Sequence, residues 1–149
     1  MAALIFNITR FVEWPEAAFR TPSAPLVVAI MGQDDVSDAL GALLLRKTVN
    51  GHPFEVRRVH TTDDARKCQV LYLASSEKRR ADAILDALRG ASTLTVASFE
   101  HFAERGGHVN LLLVDQRVRV FVNPTSAEDS HLKISAKLLA VAQIVTGSP

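Results

Sequence analysis

The sequence predicts an α/β fold, namely a three-layer α/β/α sandwich whose largely parallel sheet ends in an antiparallel hairpin. Two continuous apolar runs, residues 26–31 and 70–74, are typical of strands buried on both faces, and amphipathic segments alternate with the strands along the chain. Two later runs, His108 to Val114 and Arg117 to Val122, are separated only by Asp115-Gln116, which predicts a hairpin. Strands that alternate with helices require crossover connections, and these produce parallel strand pairs between two helical layers.

The first predicted element is an amphipathic helix that begins at Ala2 and ends at about Trp14, because Pro15 disfavours the helical conformation of the residue before it. Its apolar stripe consists of Leu4, Ile8, Phe11 and Val12. A second stripe, here called the N-terminal patch, consists of Asn7, Arg10 and Trp14. In a structural interpretation, Trp14 closes the edge of the core and Arg10 stacks on it. In a functional interpretation, the patch is a contact surface for a partner.

Strands and helices are expected to alternate after the linker that follows Pro15. Residues 26–31 are predicted to form the central strand, and a helix capped by Asp34 or Asp35 follows it. The turn at 49–51 leads into a second strand at 54–59. The remaining elements before the hairpin are a short polar segment at 63–67, a strand at 70–74, a helix that follows Ser75-Ser76-Glu77 and ends at Gly90, a strand at 94–97, and a short helix around Phe99, Phe102 and Ala103.

The chain is predicted to end in a helix that Ser135 can cap. The inward positions of this helix are Ile134, Leu138, Val141 and Val145. No internal repeat, low-complexity tract or long linker divides the sequence. Residues 1–149 are therefore predicted to form a single domain.

Composition and charge exclude several classes of protein. Lys and Arg number 17 and Asp and Glu number 16, which gives a formal net charge of +1. This charge is too small to attract nucleic acid, so we expect no nucleic-acid partner. The apolar runs are too short to cross a bilayer. No leader precedes the first helix, which leaves two alternatives: the protein is cytoplasmic, or a leader has been removed and Met1 is an added start.

The sequence contains no motif that predicts a cofactor, a metal or a catalytic site. The glycine patterns that hold dinucleotides and nucleoside triphosphates are absent. Asp34-Asp35 resembles the acidic pair of a phosphorylatable receiver, but residues 71–75 supply no further aspartate. The five histidines lack metal-ligand spacing, and the single cysteine, Cys68, is expected to be an inert buried thiol.

Asn110 is the polar residue of an otherwise apolar strand that begins after Gly106-Gly107. The paired glycines permit positive φ and the close approach of another backbone or of a ligand, although a helix stop and turn is the structural alternative. A buried Asn110 needs hydrogen-bond partners, which a backbone edge, the N-terminal helix or a ligand would supply. Asn110 is therefore a candidate ligand-binding residue.

Five segments, taken together and in order, resemble the YfiR family and span nearly the whole chain. They are RFVEWP at 10–15, KTVNG at 47–51, CQVLYL at 68–73, FAERGGHVN at 102–110 and LKISAKLL at 132–139. The resemblance implies a periplasmic α/β protein, its signal peptide removed, that binds and represses an inner-membrane diguanylate cyclase and so lowers cyclic di-GMP and biofilm formation. It implies no catalysis, and it implies a homodimer that responds to a small ligand.

The sequence departs from the family pattern in its cysteines. Some family members carry cysteine pairs whose oxidation governs repression, whereas Cys68 has no second cysteine in this chain. Redox control through an intrachain disulfide is therefore excluded.

Two functional hypotheses follow. In the first, the protein is a regulator that contacts a membrane diguanylate cyclase or a related sensor through the N-terminal patch. In the second, it is a small-molecule-binding sensor domain taken from a larger membrane signalling protein. Ligands of α/β sheets bind at the carboxyl ends of the parallel strands, so Gly32, Gln33 and Ser75 are expected to line that site.

Overall fold

The computed structural model describes residues 1–146 and contains an eight-stranded sheet with helices on both faces. The helices are α1 (Ala2–Thr9), α2 (Asp35–Leu44), α3 (Thr62–Ala65), α4 (Ala81–Ala87), α5 (Pro124–Asp129) and α6 (Ala136–Val141), with 3₁₀ turns at Glu16–Ala18 and Ser75–Arg80. The strands are β1 (Val12–Glu13), β2 (Leu26–Met31), β3 (Thr48–Val49), β4 (His52–Arg58), β5 (Val70–Leu73), β6 (Leu94–Ala97), β7 (Val109–Val114), β8 (Arg117–Val122), β9 (Lys133–Ile134) and β10 (Gln143–Ile144).

The sheet is mostly parallel, which confirms the predicted fold class. Its strand order is β10-β8-β7-β6-β5-β2-β4-β3. Neighbours from β4 through β7 are parallel, whereas β8 returns antiparallel to β7 through the predicted hairpin. The predicted central strand, β2, is an interior strand with both faces buried, although the middle of the sheet lies at β6 and β5.

Two apolar clusters form the core, one on each face of the sheet. Because side chains alternate along a strand, Val28 and Ile30 of β2 face one cluster while Val27 and Ala29 face the other. The first cluster packs α1 and α2 against the sheet through Ile5, Ile8, Leu40 and Leu44. The second packs α3 and α4 against the sheet through Ala65, Ala81 and Ile84.

The chain reverses direction across the sheet between β2 and β5. From β2 it passes through α2 to β4 on one side, and then through α3 to β5 on the other side of β2. Such a reversal separates the loops that leave the two strands at their carboxyl ends. This topological switch point is where the predicted ligand-binding residues Gly32, Gln33 and Ser75 lie.

The predicted first helix is too long. α1 ends at Thr9, and Val12 and Glu13 instead form β1, which pairs antiparallel with Ile134 and Lys133 of β9. Trp14 therefore lies outside the helix, and Asn7, Arg10 and Trp14 do not form a stripe on one helical face. Pairing between segments about 120 residues apart overrides the helical periodicity of residues 2–14.

Two other helical predictions are wrong. Residues 100–106 form turns rather than a helix, and Gly107 N–H donates a hydrogen bond to the Phe102 carbonyl at 3.0 Å. The predicted C-terminal helix is divided into β9, α6 and β10, and only residues 136–141 are helical. Ser135 caps α6 as predicted, because its hydroxyl accepts a hydrogen bond from Lys137 N–H. Helix α5 has no counterpart in the sequence-based assignment.

Candidate functional site

The switch point is closed by the protein's own side chains. Asp34, the cap of α2, accepts hydrogen bonds from Ser37 N–H at 2.8 Å, from the Tyr72 hydroxyl at 2.8 Å and from Ser75 N–H at 2.9 Å. Gln33 N–H donates to the Ser76 hydroxyl at 2.9 Å. Hydrogen bonds thus connect the loop that follows β2 to the loop that follows β5. The Asp34 carboxylate occupies the position between the two strand ends, where an anionic ligand would otherwise bind.

Gly32 permits this close approach. It adopts a φ of +87°, and a Cβ built on it would lie 2.5 Å from the Ser76 hydroxyl oxygen and 2.6 Å from Glu77 Cγ. The Gly32 carbonyl accepts a hydrogen bond from the exposed guanidinium of Arg58 at 2.7 Å. Any side chain at position 32 would therefore push the two loops apart.

A cleft of about 320 Å³ lies beside these loops. Its lining residues are Met31, Gly32, Gln33, Val59, His60, Ser76, Glu77 and Arg80. Gly32 and Gln33 therefore lie together in the predicted site, whereas Ser75 lies next to it and Ser76 lines it. Glu77 and Arg80 form an ion pair of 2.6 Å across one wall. Four residues of this region were not predicted from the sequence to belong to it: Asp34, His60, Ser76 and Arg80. Asp34 follows a buried strand after only two residues, which is a signal that could have indicated it.

Tyr72 extends the polar network into the sheet. Its hydroxyl bridges Asp34 and the Ser98 hydroxyl, each at 2.8 Å, and its ring is fully buried. Burial, together with the hydrogen bond to Asp34, raises the pKa of Tyr72 far above its usual range. Tyr72 therefore stays protonated and holds the ends of β2, β5 and β6 in a fixed arrangement.

Asn110 does not reach the cleft. It lies on β7 with 1% of its surface exposed, and its amide nitrogen donates to the carbonyls of Ala97 at 3.1 Å and Phe99 at 2.8 Å. A backbone edge thus supplies the partners of the amide nitrogen. Within residues 1–146, its Oδ1 has no hydrogen-bond partner.

The N-terminal patch is divided by its environment. Asn7 and Arg10 are exposed, whereas Trp14 is half-buried and its indole N–H donates to the Gln69 carbonyl at 2.8 Å. The indole packs edge-to-face against Phe19, and within residues 1–146 no cation–π contact joins Arg10 to it. Trp14 therefore anchors the linker, and Asn7 and Arg10 remain available to a partner.

Gln69 connects this linker to the sheet. Its side-chain oxygen accepts from Val27 N–H at 2.7 Å, and its side-chain nitrogen donates to the Ala18 carbonyl at 2.6 Å. Gln69 itself is buried. The Gln69 side chain therefore fixes the linker against the amino ends of β2 and β5. A pocket of about 230 Å³ in the same region is bordered by Trp14, Phe19 and His52.

A further concavity, of about 710 Å³, lies near the amino ends of β6 and β7, away from the switch point. Buried His108 forms part of its floor. Nδ1 of His108 accepts from Thr95 N–H at 3.0 Å, so the proton resides on Nε2, which faces the Ser130 hydroxyl at 3.1 Å. Burial lowers the pKa of His108 to about 4, and the ring is neutral at physiological pH.

The titratable groups with shifted pKa values do not form one site. Cys68 is buried as predicted, burial raises the pKa of its thiol, and its Sγ faces the Asp64 carbonyl at 3.5 Å. Cys68, Tyr72 and His108 are held by separate sets of partners, and only His108 lines a cavity. Among residues 1–146, no three His, Cys, Asp or Glu side chains are grouped as metal ligands would be. No helix in the same range is long and apolar enough to cross a membrane.

Comparisons with known proteins agree with this fold. The family model described as YfiR/HmsC-like matches residues 1–143. The crystal structure of a conserved domain protein from Vibrio cholerae O1 biovar El Tor strain N16961 is similar, with a TM-score of 0.66 and 14% sequence identity over 97% of this chain. The chain spans 58% of the length of that protein, and at this identity the similarity concerns the fold alone. No curated protein resembles the sequence closely enough to count as a relative.

Proposed function

The chain belongs to the YfiR/HmsC-like family, and from this membership we propose that it is a non-enzymatic periplasmic regulator that binds and represses a membrane diguanylate cyclase. Repression would lower cyclic di-GMP and thereby limit biofilm formation. The family is regulatory rather than catalytic and is periplasmic. The match over residues 1–143 is the observation that carries the proposal, and it leads us to treat residues 1–149 as one YfiR-like domain that forms a homodimer.

The environment of the N-terminal patch supports a role in partner binding. Asn7 and Arg10 project from the end of α1 into solvent, and Arg10 forms no ion pair within residues 1–146. Arginine is enriched among the residues that dominate interface energies. The indole N–H of Trp14 donates to the Gln69 carbonyl and so fixes the start of the linker that follows these residues.

Capture of the partner from membranes tests this proposal. The tagged protein is incubated with a detergent-solubilised membrane fraction of its own host, and captured proteins are identified by mass spectrometry. We expect a diguanylate cyclase to be captured by the parent and by Arg79→Ala, a control at an exposed arginine outside the patch. Arg10→Ala should reduce capture about tenfold. Folded parent protein that captures no cyclase would contradict the proposal.

Trp14 requires a conservative variant, because Trp14→Ala would disturb the linker as well as the surface. Trp14→Phe keeps an aromatic ring beside Phe19 but removes the indole N–H that donates to the Gln69 carbonyl, together with part of the ring volume. Capture that depends on the exposed residues Asn7 and Arg10, and not on the linker, should be largely retained by Trp14→Phe and reduced by Arg10→Ala.

A second candidate function is a small-molecule-binding sensor domain of a larger membrane signalling protein. The cleft of about 320 Å³ beside Gly32 and Gln33 favours it, because α/β sheets bind ligands at such switch points. Since Asp34 already occupies the space between the strand ends, the ligand would bind in the lateral cleft near His60 and Arg80. A metabolite that raises the melting temperature of the parent but not of Arg80→Ala would support this function.

A further inference from the structure

The outer edge of β8 is only partly paired. β8 pairs with β7 along its whole length, but on its other side β10 pairs only with Phe121 and Val122. Within residues 1–146, no strand pairs with the outer edge of residues 117–120. These four residues are here called the free edge.

The hairpin geometry determines which backbone groups of the free edge point outward. Asp115 and Gln116 form a two-residue turn with φ of +51° and +66°, so Val114 and Arg117 close the hairpin as a hydrogen-bonded pair. Pairing alternates along an antiparallel ladder, so the N–H and C=O groups of Val118 and Val120 point away from β7. Val122, the next residue of this series, accepts from Val145 N–H at 2.8 Å, as this alternation requires.

The two faces of the free edge differ in chemistry. Val118 and Val120 lie on the same face as the core residue Val122, and Val118 is paired with Leu113. Leu113 and Val118 remain exposed over 65% and 37% of their surfaces. Arg117 and Arg119 lie on the opposite face, both exposed, and within residues 1–146 neither has a carboxylate within 4.0 Å.

The opposite edge of the sheet is protected against further pairing. Beyond the short strand β3, β4 carries Pro53, which has no N–H, and its Phe54 N–H donates to the Lys47 carbonyl at 3.2 Å. Proline on an edge strand hinders strand addition, because it cannot donate a hydrogen bond to the new ladder. Residues 117–120 contain no proline. Their exposed charges, Arg117 and Arg119, would repel a cationic segment and attract an acidic one.

A second copy of the chain is a poor occupant of the free edge. Antiparallel pairing of two β8 strands about a two-fold axis would place Arg117 and Arg119 of both copies side by side on one face. Like charges on neighbouring strands destabilise a sheet, and within residues 1–146 no carboxylate lies within 4.0 Å of either arginine to offset them. An occupant with acidic residues on that face and apolar residues on the other would complement both faces.

We propose that the free edge of β8 binds an extended segment of a partner protein in which acidic and apolar residues alternate, so that the segment extends the sheet. Its backbone would pair with Val118 and Val120, its apolar residues would cover Leu113 and Val118, and its carboxylates would face Arg117 and Arg119. This inference rests on the proposed function only in requiring a protein partner.

Amide NMR of the ¹⁵N-labelled chain tests the proposal with a short synthetic peptide of alternating glutamate and valine. We expect the amides of Val118 and Val120 to shift and to become protected from solvent exchange when the peptide is added. The amides of Arg117 and Arg119 should be protected beforehand, because they pair with β7. Unchanged Val118 and Val120 amides at saturating peptide would overturn the proposal, as would concentration-dependent protection without peptide, which would identify a second copy as the occupant.

Charge reversal provides the specificity test. Arg117→Glu with Arg119→Glu should weaken binding of the glutamate peptide about tenfold and allow a lysine–valine peptide to bind. Lys78→Glu with Arg79→Glu changes the net charge equally at exposed positions outside the edge and should leave binding unchanged. Equal loss in both double variants would show that only net charge matters, which contradicts the proposed edge.

A backbone variant separates this inference from the proposed function. Val118→Pro removes an outward N–H without removing a hydrogen bond to β7, and the arginine double variant serves if Val118→Pro fails to fold. Loss of peptide binding in these variants with cyclase capture intact would support the edge and retain the proposed function. Peptide binding that survives in folded Val118→Pro would refute the edge. Peptide binding at the edge without cyclase capture would support the edge and refute the proposed function.

Discussion

Gly32 determines how closely the loops after β2 and β5 approach each other. A methyl group at this position would collide with Ser76 and Glu77 in addition to straining a φ of +87°. The free energy of unfolding of Gly32→Ala should therefore fall by about 3 kcal/mol, measured by urea denaturation. Gly90→Ala is the matched control, because Gly90 has a φ of +78° but open space around it, and it should lose about 1 kcal/mol. Equal losses would show that the contact with the 75–80 segment is unimportant.

His108 is expected to make the protein sensitive to acid. Its pKa is about 4 in the folded protein and about 6.5 in the unfolded chain, so between these values the unfolded state binds more protons. The contribution of His108 to stability is constant above about pH 7 and should fall by about 2–3 kcal/mol when the pH reaches 4.5. Urea denaturation at several pH values measures this loss.

Two variants isolate the contribution of His108 from that of the carboxylates. His108→Gln should show a smaller decrease in unfolding free energy between pH 7 and 4.5 than the parent, whatever its stability at pH 7. His60→Gln replaces an exposed histidine that forms no ion pair within residues 1–146 and serves as the matched control for loss of a histidine. Identical pH slopes for the parent and His108→Gln would contradict the assignment.

At the scale of residues, the sequence predicted the burial and capping role of individual side chains better than their hydrogen-bond partners. The sequence predicted a cap at Asp34 or Asp35, of which the structure uses Asp34, and it predicted a buried thiol at Cys68, because both properties follow from neighbouring residues. The hydrogen bonds from Tyr72 and Ser75 to Asp34 join residues about 40 positions apart in the sequence. The local pattern of residue types therefore could not predict them. Gly32 and Gln33 line the cleft together. The side-chain amide of Asn110 instead donates a hydrogen bond to the carbonyl of Ala97, the last residue of β6.

At the scale of elements, the linker after β1 depends on the buried amide of Gln69. Gln69→Ala would leave Val27 N–H and the Ala18 carbonyl without their partners, and we expect a loss of about 2–3 kcal/mol in unfolding free energy. Hydrogen exchange and limited proteolysis should show faster opening of residues 15–25. Gln143→Ala removes an exposed amide and should change neither measurement. An unaltered linker in Gln69→Ala would refute the proposed role of this side chain.

Elements defined by local signals were predicted well, and those defined by distant pairing were not. The apolar runs of β2 and β5 and the hairpin of β7 and β8 are local properties of the sequence. The end of α1 is set by pairing with β9, which lies near the other end of the chain. Helix α5 did have a local signal in the sequence, although it was not predicted. Asn123 caps the helix and Pro124 occupies its first turn, and both residue types are typical of these positions.

At the scale of the whole molecule, we propose three separate surfaces for contact with other molecules. The N-terminal patch lies at the end of α1, the cleft lies at the carboxyl ends of β2 and β5, and the free edge lies on β8. The family match spans residues 1–143, a range that contains the residues of all three surfaces. A regulator with several surfaces can bind a partner at one of them while a second ligand alters that affinity.

The rate of cyclic di-GMP synthesis by the captured cyclase, reconstituted in lipid, tests the central proposal most directly. Added parent protein should lower this rate in a saturable manner, and Arg10→Ala should require about tenfold more protein for the same effect, while Arg79→Ala behaves as the parent. A rate that stays unchanged at saturating, folded parent protein would contradict the account of this protein as a cyclase repressor.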